Sequence, residues 1–474
     1  MNNTVRAPRV PQRQPNPSVQ TPVLGYNPLQ AQAGTIPSAG FAFTLLLIYL
    51  TFNRIVEFLP SFVTAVRPIL ILLPIILASA LLSGTIRRLA SSPISILLLL
   101  FTAWGALTVP FSVWIGGSTR VLVTHWLPAL LSGLVIIPTV VSLEQYRKAC
   151  YAIALGAVTI VGLSFFLAST SSIRALGRLG FDTGTLGNSN DLAAILLMGV
   201  PFCLLAAKHW RGLAKLAALG SVLIIIVLVV RTGSRSGLLA LLLLITLLFL
   251  RGSIGDKVQL LLVSCLVGIL AVASASRTAL DRYRTLVSDS DMLPGSRAEA
   301  SAIESTMARS YLLKRSIWQT VHHPILGVGF GMFMVAESHI HDPDLPSTLW
   351  RQTHNTYTQL SSETGIPGLL LYGAAMFFCF RKLRAIRKAT RFAPELKSLE
   401  DSAVCLWLSL IVFAVTGFFG SNAYYCYFPT LAALTVCLDA LAWDHIRASQ
   451  ERAVAAVIPR PVPPGRPAPA AVAL

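Results

Sequence analysis

HHPILGVGFGMFM (residues 322–334) and RQTHNTYTQLSSETGIPGLL (351–370) belong to one long run, Arg309 to Gly368, that is neither lipid-soluble nor tail-like. The second segment leads straight into an apolar span that begins near Ile366. That junction decides the fold, because a polar segment feeding a hydrocarbon-length apolar run marks the edge of a membrane span. The run also holds five of the eight histidines, His322, His323, His339, His341 and His354.

Working outward, the rest of the chain repeats the same alternation. With 54% hydrophobic and 12% charged residues, it is too apolar for an ordinary soluble domain. Apolar runs of span length broken by short basic segments predict an all-α polytopic membrane protein, and the absence of ten-residue alternation argues against a barrel. The net charge of +18 fits basic loops facing anionic lipid or phosphate better than nucleic acid. Six of the seven cysteines fall inside apolar runs and no CxxC pair occurs, so they read as small hydrophobic residues.

Residues 1–38, rich in Pro, Gln and Asn with Arg6, Arg9 and Arg13, read as a disordered cytoplasmic tail rather than a removable signal, and residues 444–474 end in a Pro/Ala-rich tail of the same kind. Between them we expect about 12 spans: roughly nine in 39–275, a large extracytoplasmic loop over 276–364, and three more in 365–443. Arg87, Arg88, Arg147, Lys148, Lys208, Arg211, Arg251 and the cluster from Arg381 to Arg391 fall on one side, which the positive-inside rule makes cytoplasmic, with both termini there too. The short loops opposite should be poor in positive charge, yet they hold Arg120, Arg174, Arg178, Arg231 and Arg235, all Arg and none Lys. A guanidinium grips phosphate oxygens through two parallel hydrogen bonds, so the set points to an anionic ligand on that side; single members are equally read as snorkelling to headgroups.

Within the large loop, Asp289-Ser290-Asp291 is a DxD, which we read as a solvated turn. MARSYLLKRSIWQTVHHP has Leu312, Leu313, Ile317 and Val321 at helical spacing, as in a helix lying on a membrane surface. Gly327, Gly329 and Gly331 alternate in a close-approach backbone turn, without the Lys-Ser/Thr of a phosphate loop. His354, in THNTY just before the chain re-enters the membrane, is the candidate base, since an imidazole ordinarily titrates near pH 6.5. His322-His323 read as structural; His339 and His341 with Asp342 and Asp344 are a lesser metal candidate. No HExxH or GxSxG motif is present, which disfavours a metalloprotease or an α/β-hydrolase. Ser234 is placed to cap the next helix, and a helix start beside Arg231 and Arg235 favours an anion.

Together these pieces resemble the O-antigen ligase/polymerase superfamily of membrane glycosyltransferases, with a GT-C-like architecture. GTLGNSNDLA (184–193) is similar to the family's Gly-x-x-x-Asn-x-Asn lead-in, and RTGSRSGLLALL (231–242) to its Ser-Arg-Ser start of a span. An arginine fifteen residues before the HPILGVGFG proline (Arg309, with Arg315 as fallback), the His354-Asn355 pair and ETGIPGLLL follow in the family's order. The resemblance implies a glycan donor on undecaprenyl diphosphate, with Arg235 and Arg309 on the diphosphate and His354 as base. Arg315, Arg178, Arg174, Arg231, Asn355, Asn188 and Asn190 become candidate substrate-binding residues, and Glu363 an anchor for the loop. It implies an inverting transfer without metal or other cofactor. The acceptor is a hydroxyl of a glycan, of lipid A-core or of another molecule, the setting is the bacterial inner membrane and its lipids, and nucleic acid has no part. A transporter or flippase of the same lipid-linked sugar is the competing class. Such a protein would place charges near the bilayer midplane and often shows internal repeats, whereas here the candidate charges gather at one surface.

Overall fold

The computed structural model describes residues 38–59, 67–167, 178–181, 184–284, 297–338 and 352–457. The N-terminal tail and the Pro/Ala-rich end of the C-terminal one, Arg174, Asp289 to Asp291, and the group of His339, His341, Asp342 and Asp344 lie outside these residues. Every regular element among the described residues is helical. The helices that matter are α1 (Ser38–Asn53), α2 (Pro68–Leu82), α3 (Pro93–Thr108), α4 (Ile115–Thr139), α5 (Leu143–Phe166), α6 (Ser189–His209) and α7 (Gly212–Arg231). They continue with α8 (Arg235–Arg251), α9 (Ile254–Ser274), α10 (Arg297–His322), α11 (Thr356–Thr390), α12 (Lys397–Gly417) and α13 (Tyr427–Val457).

Eight helices among the described residues are long and apolar enough to cross a membrane, namely α3 to α7, α9, α11 and α12. A ninth results if α2 and the Thr85–Ser91 turn after it, bent by 100°, count as one span. The shortfall from the expected twelve has a simple origin. Helix α1 has 16 residues and α8 has 17, and the apolar part of α13 carries Asp439 and Asp444. The architecture is nonetheless that of a polytopic helical membrane protein. Two expected spans differ in detail. The first ends at Asn53, where Arg54 turns left-handed and a 3₁₀ turn, Ile55–Phe58, follows. Helix α4 carries a π-helical turn at Leu122–Trp126, just ahead of Pro128, whose missing N–H interrupts the α ladder.

Helix α6 is the centre of the bundle: 83% of its apolar window is buried, against 11% for the peripheral α9. Its sequence explains this. Ala193, Ala194, Gly199, Cys203, Ala206 and Ala207 keep its surface small, which lets neighbouring backbones come close where hydrophobicity alone gives no drive to associate. A β-carbon at Gly199 would stand 2.6 Å from that of Ala157 on α5, and one at Gly237 on α8 would stand 2.7 Å from that of Ala193.

Helix α11 is broken at Gly365, whose φ of 72° and ψ of 179° are open to glycine almost alone. The break frees three carbonyls, and each finds a donor. Ser362 O accepts from Val328 N–H at 2.8 Å, Glu363 O from Gly329 N–H at 3.1 Å, and Thr364 O from the Trp104 indole at 2.8 Å. Ile366 N–H in turn donates to Pro324 O at 2.8 Å. The GVGFG turn and the ETGIPG break are thus two halves of one joint. A β-carbon at Gly327 would overlap the Glu363 carbonyl, so glycine is required there.

Candidate active site: a basic cavity bordered by His354

A cavity of about 400 Å³ opens where α8, α10, the start of α11 and the turn after α12 meet. Helix α8 contributes Arg235, Ser236 and Leu239; α10 contributes Arg309, Ser310 and Leu313. The approach to α11 contributes Thr353, His354 and Asn355, and the turn after α12 contributes Phe418 and Phe419. Arg235, Arg309 and His354 come from positions up to 119 residues apart, and they border one space.

Each of the three is fixed by its local sequence. Ser234 caps α8, its Oγ accepting from Gly237 N–H at 3.1 Å and donating to Asn190 Oδ1 at 2.8 Å. Arg235 is therefore the first residue of α8, and the helix start adds its partial positive charge to the guanidinium. Arg309 lies half-buried on α10. His354 sits at φ +50°, unusual for a residue with a β-carbon, and its N–H donates to Ser421 Oγ at 2.9 Å. Asn355 both borders the cavity and caps α11, accepting from Tyr357 N–H at 2.9 Å and Thr358 N–H at 3.1 Å.

Other candidates lie elsewhere. Arg315 grips Glu337 with two nitrogens, Nε at 2.8 Å and Nη2 at 3.3 Å, under a further bond from Gln319 Nε2 at 2.7 Å, and its guanidinium lies 4.6 Å from the Trp318 ring centre. These contacts tie α10 to the short Phe333–Ser338 helix. Arg178 donates to Thr232 O at 2.9 Å and to Asn190 Oδ1 at 3.3 Å, clamping the turn before α8. Asn188 caps α6 through Asn190 N–H at 2.9 Å. Arg231 closes α7, and its carbonyl accepts from Leu179 N–H at 3.1 Å. None of Arg315, Arg178, Asn188, Asn190 and Arg231 borders the cavity. Glu363 is buried and accepts from Phe333 N–H at 3.3 Å and Tyr424 Oη at 2.7 Å, which anchors the GVGFG turn.

The segment Phe418–Tyr427, where the sequence offers no candidate residue, holds the His354 side of the site. Phe418 and Phe419 form one wall. Gly420 O accepts from Thr356 Oγ1 at 2.7 Å, Ser421 holds His354, and Asn422 N–H donates to Thr356 Oγ1 at 3.0 Å. Tyr424 stacks on Phe330 of the GVGFG turn at 4.3 Å. Tyr425 and Tyr427 flank Arg54, 5.6 and 5.4 Å from its guanidinium. Burial pushes Tyr425 up to about 12, with Asp191 adding to the rise, so its ring stays neutral beside the cation. Arg54 was also missed, because the first span, expected over residues 39–59, takes it in, whereas α1 ends at Asn53.

A polytopic helical bundle gathers two arginines, a helix start and a histidine at one cavity, an arrangement suited to an anionic ligand. Residues 220–373 match the family model described as O-antigen ligase, which supports the likeness of this segment to the O-antigen ligase/polymerase superfamily. The match runs from within α7 to within α11 and includes Arg235, Arg309 and His354. No curated protein matches the chain.

Proposed function

We propose that the protein is a metal-independent, inverting glycosyltransferase that moves a glycan from undecaprenyl diphosphate to an acceptor hydroxyl at the outer face of the bacterial inner membrane. The observation that carries this reading is the shared cavity of Arg235, Arg309 and His354, inside a segment of O-antigen ligase type. The donor's diphosphate lies between Arg235 and Arg309 at the start of α8, where two guanidiniums and a helix N-terminus offset its charge. His354 takes the proton of the acceptor hydroxyl as its oxygen attacks the anomeric carbon. The bond from that carbon to the diphosphate oxygen breaks, its electron pair leaves with the diphosphate, and the configuration inverts. Charge builds on the leaving oxygen, so a positioned cation there contributes on the order of 3 kcal/mol, as one oxyanion-hole donor does. The diphosphate is already a good leaving group, so arginines suffice in place of a metal. Both termini are cytoplasmic in this reading, and the cavity faces outward.

The test supplies membranes holding the protein with lipid-linked glycan and with candidate acceptors of lipid A-core, glycan or protein type. Transfer to one acceptor supports the reading and separates ligase from polymerase. Movement of labelled lipid-linked glycan across liposomes without transfer would replace it by a flippase.

A further inference from the structure

We propose that Glu57, held in place by Arg54, is a positioning residue for Arg235; this rests on the reading of the cavity as a diphosphate site. The two lie far from Arg235 in sequence, and hydrogen bonds linked by short backbone segments join them.

The run begins at the end of α1. Arg54 adopts φ +56°, a left-handed conformation that costs a β-carbon-bearing residue energy unless its surroundings hold it there. Its surroundings do: Nε donates to Tyr427 Oη at 3.2 Å, Nη2 to Cys426 Sγ at 3.6 Å, and Nη1 to Glu57 Oε1 at 3.4 Å. Glu57 in turn accepts twice from one residue 128 positions away, from Thr185 N–H at 2.6 Å and from Thr185 Oγ1 at 2.9 Å. Gly184 stands so close that a β-carbon there would overlap the Glu57 carboxylate. The carboxylate thus fixes the turn Thr185–Gly187, which delivers Asn188 and Asn190 to the start of α6. Asn190 Oδ1 accepts from Ser234 Oγ, and Ser234 is the cap that sets where Arg235 begins α8.

The bonds among Arg54, Glu57, Thr185, Asn190 and Ser234 are directional contacts of buried or half-buried groups, so a displacement of the turn passes along the backbone to Asn190 and on to the Ser234 cap. Charge adds a reason for a carboxylate at position 57. Its double acceptance from Thr185 needs both oxygens, and the contact with Arg54 Nη1 at 3.4 Å orients the carboxylate. Glutamine at this position keeps one acceptor oxygen and loses the other.

The experiment measures binding of geranyl diphosphate, a short isoprenyl diphosphate, to the purified full chain in nanodiscs, with melting temperature read in parallel. Wild type, Glu57→Gln, Arg235→Lys and the double variant form a cycle. A purely structural Glu57 would lower the melting temperature and act independently of Arg235; a positioning Glu57 acts through it. The expected result is a Kd raised roughly fivefold by Glu57→Gln and roughly tenfold by Arg235→Lys, with the double variant no weaker than Arg235→Lys alone. Wild-type affinity in Glu57→Gln, or effects that multiply in the double variant, overturns the positioning role while the cavity reading stands. Wild-type affinity in Arg235→Lys overturns the cavity reading and the relay with it. If Glu57→Gln does not fold, Thr185→Val deletes the 2.9 Å hydroxyl bond alone and enters the same cycle with an expected rise of about twofold.

Discussion

His354 and Ser421 are joined by a 2.9 Å hydrogen bond from the histidine N–H to the serine hydroxyl, and the same hydroxyl lies 3.1 Å from Thr353 Oγ1. The bond crosses from the approach of α11 to the turn after α12 and holds His354 in its left-handed conformation.

Ser421→Ala removes that partner and leaves a part-buried N–H short of an acceptor, a change worth roughly 1–3 kcal/mol. We expect glycan transfer to fall at least tenfold in kcat with donor KM little changed, because the base moves while the diphosphate site stays. Steady-state kinetics on the purified protein check this, and a pure KM effect would contradict it.

Arg309 and Arg315 separate in the same experiment. Arg315 is bound to the buried Glu337, so Arg315→Ala strands a buried carboxylate and should destabilise by on the order of 3 kcal/mol, seen as a lower melting temperature. Arg309 borders the cavity, and Arg309→Ala weakens donor binding at least tenfold, as loss of a charge-assisted contact implies. The opposite pattern would exchange their roles.

Gly365→Ala places a β-carbon into the Ile325 carbonyl at a backbone conformation reserved for glycine. The joint between GVGFG and the α11 break then opens, at a cost of at least 1–3 kcal/mol from the backbone alone. We expect little folded protein in the membrane, read by detergent-solubilised size-exclusion profiles. Normal yield and activity would show that the joint tolerates rearrangement.

Much of this was legible in the sequence, and the reasons are physical. Hydrocarbon-length apolar runs are a local property, so the membrane bundle reads directly. The Ser234 cap and the close approach of Gly327 to Gly331 follow from residue types with strong backbone preferences. The order Arg309, GVGFG, His354 could be read from its likeness to a family, although spacing alone does not bring these residues together. What stayed hidden is what long-range packing creates. The Glu57–Thr185 contact spans 128 positions and Arg54–Tyr427 spans 373, and no periodicity encodes either. FFGSNAYYCY (418–427) looks like a short turn between spans, yet its Ser421 hydroxyl holds His354 and its tyrosines hold Glu363 and Arg54. Only spacing to Pro324 ranks Arg309 ahead of Arg315 in the sequence; the grip on Glu337 is what assigns Arg315 to structure.

The central claim is that Arg235 and His354 act on one lipid-linked glycan. The most direct test incubates wild type, His354→Ala and Arg235→Ala with undecaprenyl-diphosphate glycan and its acceptor in the presence of EDTA. The account predicts wild-type transfer undiminished by EDTA, a loss of at least a hundredfold in each variant, as for removal of a general base or an oxyanion-type donor, and unchanged melting temperatures. Full transfer by folded His354→Ala would contradict it.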